Sequence, residues 1–245
     1  MNNALIDYSL HLADSALILG QRNSEWCGHG PVLEQDIAIT NISLDLIGQA
    51  RSLYQYAAEL KADGSTEDSL AYLRTERDYK NLLLTEQPRG DWAQTILRQF
   101  LFSSFQYLLC QYLQQQDNST LAAFAEKSLK EISYHQRWSS EWVIRLGDGT
   151  EESNRRITAA LEELWPYTGE LFMQAPYEKE LGIDPAPLKY EWSKKVKTIF
   201  DEAGLAVPGN TFMHSGGKTG THTEHLGLIL TELQYMQRAY PGCEW

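Results

Sequence analysis

Apolar residues recur along this chain at the three-and-four spacing of a helix face, and no stretch shows the two-residue alternation of a strand. The run 119–147 shows it best. At about 100° per residue, Leu121, Phe124, Ser128, Ile132, Trp142, Val143 and Leu146 share one side. Ser119 is a natural N-cap and Gly147 a natural stop, with no proline between them. Glu131 and His135 fall on the same apolar side, one turn apart, while Lys127, Lys130, Arg137, Glu141 and Arg145 take the other. The run 3–22 carries Leu5, Tyr8, Leu12, Ala16 and Leu19 on one arc, with Asp14 just past its edge and therefore expected on a polar face. Breakers at Gly28, Gly30 and Pro31 precede a helix expected to reach Leu60. That helix is apolar nearly all round and so expected to be central. It is relieved by a polar or small stripe at Glu34, Asn41, Asp45, Gly48 and Ser52, and by Arg51 among Leu33, Ile37, Leu44 and Ile47.

A loop at 62–66 leads to an expected helix over 67–86, and Pro88 breaks it. Asp91 caps the next helix, 92–115, which is apolar on every side and contains no carboxylate. After 147 a helix starts at Thr150, prolines punctuate the last third, and helices are expected near 186–203 and 222–239. Four long helices paired first with second and third with fourth, with a longer crossover between the pairs, predict an all-α, ferritin-like four-helix bundle with additional C-terminal helices. No linker composition interrupts the chain, so a single domain is expected over 1–245.

Composition narrows the function classes. The 245 residues are 42% hydrophobic and 22% charged, with a net charge of −12. That balance speaks against nucleic acid and against an anionic membrane surface. Three scattered cysteines without a CxxC pair fit a reducing compartment. No apolar run reaches membrane-spanning length and no signal-peptide pattern opens the chain, so the expected location is the cytoplasm.

The chemistry a ferritin-like bundle usually carries is a di-metal carboxylate site, with inward glutamates from two helices and Glu-x-x-His from the other two. This sequence has no Glu-x-x-His. Glu131 is followed at i+3 by Tyr134, and the imidazole arrives one residue late at His135. The comparable position on 31–60 reads Asp45-Leu-Ile-Gly48, and 92–115 supplies no acid. Asp45, Glu131, His135 and Arg51 are therefore expected to form a buried polar network at a vestigial metal position, since buried charges need partners. Gly216-Gly-Lys-Thr219 resembles a phosphate loop, but the Walker A pattern needs a glycine where Phe212 stands. A looser role remains, with Lys218, Gly216 and Gly217 contacting a phosphate at the start of the final helix; the alternative is a mobile surface loop. A zinc site from His222, Glu224 and His225, with Cys27 and His29, matches no standard spacing.

Several ordered blocks resemble one family. Glu25-Trp-Cys-Gly-His-Gly-Pro31, Asn41-Ile-Ser-Leu-Asp-Leu-Ile-Gly-Gln-Ala-Arg51, Asn81-Leu-Leu-Leu-Thr-Glu-Gln-Pro88, Lys130-Glu-Ile-Ser-Tyr-His135 and Gly216-Gly-Lys-Thr-Gly-Thr-His-Thr-Glu-His-Leu-Gly227 are similar to the C-type subunit of the bacterial phenylacetyl-CoA epoxidase complex. So is Glu232-Leu-Gln-Tyr-Met-Gln-Arg238, and the likeness runs nearly end to end. The resemblance implies a complex that uses O2 and reducing equivalents to epoxidise the ring of phenylacetyl-CoA during phenylacetate degradation. It implies that an A-type subunit holds the di-iron centre, and that the C-type chain is a paralogous partner with no cofactor and no chemistry of its own. It leaves the glycine-rich loop as a candidate contact for coenzyme A. The competing expectation makes this chain an oxygenase with an unorthodox metal site at Asp45, Glu131 and His135.

Overall fold

The structure, a computed structural model, describes residues 2–209 and 211–243. The described residues form helices and turns, as the sequence pattern requires. The elements are α1 (Asn2–Ser24), α2 (Leu33–Lys61), α3 (Glu67–Tyr72), α4 (Leu83–Glu86), α5 (Trp92–Leu113), α6 (Ser119–Gly147), α7 (Glu151–Leu164), α8 (Pro176–Leu181), α9 (Leu188–Glu202) and α10 (Glu224–Ala239). The fold is the expected all-α, ferritin-like bundle of α1, α2, α5 and α6 with further helices from the C-terminal third.

α1 packs along α2, and α5 packs along α6. Small residues let the first pair approach: Ala13 and Ala16 on α1, and Ala38, Ala50 and Ala57 on α2, are all buried. A Cβ at Gly20 would stand 3.2 Å from Ile47 and 3.3 Å from the Ser43 carbonyl. α5 is the central helix, buried on all sides, and α6, α7 and α9 cover it. α6 begins one residue earlier than a Ser119 cap would place it, because Asn118 is the N-cap and accepts the Leu121 amide at 2.9 Å. Gly147 does end α6, but by close packing: a Cβ there would lie 2.2 Å from the Ala203 carbonyl at the end of α9.

The expectation of a central α2 is corrected. One face is buried through Ile39, Ile42, Leu46, Leu53 and Tyr54, while the other is open. There Leu33 is 72% exposed, Leu44 61%, Ile37 51% and Ile47 37%. α2 meets α6 loosely, through polar rungs in antiparallel register. Trp138 and Trp142 donate to the Gln35 side chain at 3.1 and 2.8 Å, His135 bonds Asp45, Gln49 donates to Glu131, and Asn118 donates to the Tyr56 hydroxyl.

The second correction concerns 67–86, which is not one helix. α3 stops at Tyr72, a 3-10 turn occupies Glu76–Asp78, the chain runs extended through Tyr79–Leu82, and α4 is a single turn. Side chains from elsewhere take over the backbone bonds a helix would have made. The Lys80 amide donates to Asp14 at 2.8 Å and the Leu82 amide to Ser15 at 3.1 Å; His11 donates to the Lys80 carbonyl at 2.7 Å. Beyond α4, the buried Arg98 donates to the Gln87 and Pro88 carbonyls at 2.6 and 2.7 Å, and Arg22 donates to the Glu86 carbonyl. Burial, with Arg22 nearby, brings the Arg98 guanidinium down to about 9.

Asp14 is therefore not on a polar face. It is fully buried, and it accepts the Tyr54 hydroxyl at 2.6 Å and the Arg74 guanidinium as well as the Lys80 amide. Burial alone would lower the Arg74 guanidinium, but the Asp14 carboxylate beside it prevails and raises it. Removing one partner of such a pair leaves a buried charge without compensation. Asp14→Ala is expected to cost about 3–5 kcal/mol in denaturant unfolding of the isolated chain, with Asp14→Asn costing less. A loss below about 1 kcal/mol for the alanine variant would show that Asp14 does not anchor the 79–82 segment.

Candidate functional site

Two places carried the sequence-level expectations: the seam where α2 meets α6, and the glycine-rich loop before α10.

At the seam, Asp45 and Gln49 lie one turn apart on α2, and His135 and Glu131 lie one turn apart on α6, so the antiparallel register brings them together. His135 Nε2 sits 2.9 Å from Asp45 Oδ2. Gln49 Nε2 donates to Glu131 Oε2 at 2.9 Å, and Gln106 of α5 donates to Gln49 Oε1 at 2.9 Å. Three of the four expected residues thus sit together, but the network is only partly buried. His135 is fully buried, while the Asp45 side chain is 36% exposed and Glu131 is half-buried. Arg51 does not join it. It stands on the outer face of α2 and reaches Glu67 at 3.5 Å. The sequence reading missed Gln49 and Gln106, although the i, i+4 spacing of Gln49 from Asp45 placed it on the same seam.

These residues do not fit a di-metal centre. The acids are engaged singly, Asp45 by an imidazole and Glu131 by an amide, and α5 offers glutamine and serine to the interior. Among the described residues, no three histidine, cysteine or carboxylate side chains converge to hold an ion. The zinc grouping does not assemble either: His29 bonds the Cys27 carbonyl in the α1–α2 turn, and His222 is engaged elsewhere.

The loop before α10 needs the larger correction. The backbone amides of Gly216 and Lys218 do converge on an anion, but that anion is internal. The buried carboxylate of Glu170 accepts Gly216 N at 2.8 Å and Lys218 N at 3.4 Å on one oxygen, and Leu83 N at 2.8 Å on the other. Burial raises Glu170, and the three amides pull the other way. Gly217 is required for packing, since a Cβ there would lie 2.2 Å from the Asn81 carbonyl. Lys218 itself is buried; its ammonium donates to both Glu178 oxygens at 3.0 Å and to the Met173 carbonyl at 2.8 Å. With its three donors engaged inside the protein, it has none left for a phosphate, which corrects the coenzyme A contact expected of Lys218, Gly216 and Gly217. Asn210 of the same loop lies outside the described residues.

The same region fixes α10. Glu86 Oε1 accepts the Thr223 amide and hydroxyl at 2.6 and 2.7 Å, serving the N-terminus of that helix. Its other oxygen accepts Asn81 at 2.7 Å and His222 Nδ1 at 2.8 Å, while His222 Nε2 donates to the Tyr79 carbonyl at 2.9 Å. Both ring nitrogens of His222 face acceptors, so the ring is held as the cation. Burial opposes that charge, but Glu86 and the Tyr79 carbonyl outweigh it, and His222 is raised above its ordinary value.

Two measurements check this arrangement. Because the folded-state value of His222 lies above the ordinary one near 6.5, its stabilisation is complete below that pH and is lost as pH climbs through the raised value. The unfolding free-energy gap between wild type and His222→Asn should therefore narrow on going from pH 6 towards pH 9, as about one proton's linkage; a gap independent of pH contradicts the cationic assignment. Lys218→Ala should lower stability by about 3 kcal/mol or more, because it strands Glu178. If the variant melts like the parent, Lys218 is not part of the interior.

The comparisons with known proteins agree with the blocks quoted above. The family model described as "Phenylacetic acid catabolic protein" matches residues 1–245. The chain is 45% identical over 248 residues to the C-type subunit of the 1,2-phenylacetyl-CoA epoxidase of Escherichia coli (strain K12), an alignment covering 99% of this chain and 100% of that one. Among the described residues, no helix is long and apolar enough to cross a membrane. With the family model matched along the whole length, on an all-helical bundle of the expected kind, the chain belongs to the phenylacetic acid catabolic protein family.

Proposed function

We propose that this chain is the structural, non-catalytic subunit of a phenylacetyl-CoA epoxidase complex, and that it docks the A-type di-iron subunit through the outer face of α2. The observation that carries this reading is the apolar stripe of Leu33, Ile37, Leu44 and Ile47, open along the helix and uncovered by the other described residues. Such a contiguous stripe of large aliphatic side chains along one long helix is the mark of an interaction surface. The relative's designation as a subunit supports a partner within an epoxidase complex. The chemistry of the seam supports the division of labour: its acids are tied singly to His135 and Gln49, so the di-iron centre belongs to the partner. In this reading the chain contributes position. It holds the catalytic helices from outside and adds no group to the reaction.

Leu44→Asp and Ile37→Asp test this directly. Each side chain is exposed, so either variant should keep its stability to within about 0.5 kcal/mol. Burying a new carboxylate against an apolar partner should weaken the complex by about 2–4 kcal/mol, enough to lose co-purification and epoxidation together. Variants that co-purify and turn over like the parent place the partner elsewhere. A purified lone chain that retains two irons after dialysis would overturn the non-catalytic assignment.

A further inference from the structure

Gly48 stands in the middle of α2, and nothing among the described residues accounts for it. Its backbone is ordinary right-handed helix, since it is not among the positive-φ glycines. A Cβ built on it meets no atom within 4 Å. Gly20, Gly147 and Gly217, by contrast, are each crowded by their own chain. Glycine is the poorest helix former after proline, so an exposed glycine at mid-helix weakens α2 for no internal return.

The space it leaves opens onto a groove of about 140 Å³ between α2 and α6. Leu44 and Phe124 give the groove apolar walls, and Asp45 and Glu131 line it with carboxylates. Asp45 Oδ2 and Glu131 Oε2 take the bonds from His135 and Gln49, while Asp45 Oδ1 and Glu131 Oε1 take no hydrogen bond from the described residues. Lys127 lies along the same groove and offsets one of the two charges, which leaves the groove net negative. Leu44 is also part of the open apolar stripe, so groove and stripe form one continuous surface.

We propose that this groove receives a lysine or arginine side chain of the catalytic partner, with Gly48 giving room for the partner's backbone to approach α2. The inference rests on the docking reading above and names its centre. The aliphatic stem lies against Leu44 and Phe124, and the cationic head meets the free oxygens of Asp45 and Glu131. A cation set in an apolar surround is the usual composition of an interface hot spot. It also fixes where the partner seats on α2, because a displaced docking would bury these carboxylates unpaired.

The test measures affinity for the purified A-type subunit, together with the melting temperature of the lone chain, for wild type, Gly48→Ala, Gly48→Met, Glu131→Gln and Leu44→Asp. Gly48→Ala should raise the melting temperature by about 2–4 °C, as a better helix former in open space, and yet weaken binding several-fold. That opposition of sign is one that a purely structural glycine would not produce. Gly48→Met should weaken binding about a hundred-fold. Glu131→Gln should weaken it about ten-fold and flatten its salt dependence. If both Gly48 variants bind like wild type while Leu44→Asp does not bind, the docking face stands and the groove's occupant is wrong. If Leu44→Asp also binds like wild type, the docking reading itself fails. A lone wild-type chain that dimerises at micromolar concentration, and is made monomeric by Gly48→Met, would make the occupant a second copy and overturn the proposal.

Discussion

The rest of the architecture depends on one buried stretch that cannot satisfy its own backbone. Tyr79–Leu82 runs extended through the interior, where water is not available to its amides and carbonyls. Side chains from several elements reach in to serve it and the turn that follows. Asp14, Ser15 and His11 come from α1, Glu170 from the turn after α7, and His222 from the approach to α10. Arg98 of α5 closes the far end at Gln87 and Pro88. Each of these polar groups would be costly if buried alone; bonds to this stretch and its following turn, with Arg74 beside Asp14 and the Gly216 and Lys218 amides on Glu170, make them tolerable. His11 shows the coupling. Burial, with Lys218 close by, brings it down to about 3, so it is neutral and its Nδ1 proton is committed to the Lys80 carbonyl.

This hub explains why the most suggestive chemistry in the C-terminal third is structural. The glycine-rich loop forms an anion-binding nest, and the fold fills that nest with Glu170. Lys218 looks like a phosphate ligand in sequence and is a buried partner of Glu178 in space. The α2–α6 seam is different, since the carboxylates of Asp45 and Glu131 there are only partly buried. There the two helices are bridged by side chains with little close packing, and the outer face of α2 is apolar and open. A subunit that is rigid at its hub and open at its seam is well suited to hold another subunit in place.

The sequence revealed the bundle because long helices with strong apolar periodicity are set by local rules. The run 92–115 read as apolar on every side and forms a helix buried nearly all round, and Asp91 and Thr150 cap as their types require. Failures occurred where tertiary bonds overrode local preference. Residues 67–86 have helical propensity, but Asp14, Ser15 and Glu170 compete for their amides, and those acceptors lie 66, 67 and 87 residues away along the chain. α2 read as central because periodicity cannot tell a helix buried on both faces from one with an open apolar face. At the seam, His135, Asp45 and Glu131 were legible as misfits on an apolar pattern. Arg51 shared that pattern, but its face is the one left open.

The central claim is that the α2 face, and not the loop before α10, meets the catalytic subunit. Hydrogen–deuterium exchange of the chain, alone and saturated with the A-type subunit, tests it most directly. The account predicts slowed exchange along the middle of α2 and the facing turns of α6, around Leu44–Ser52 and Lys127–Tyr134, with the hub unchanged because it is already protected. Protection confined to the loop before α10 or to α10 itself, with α2 exchanging as in the lone chain, would contradict it.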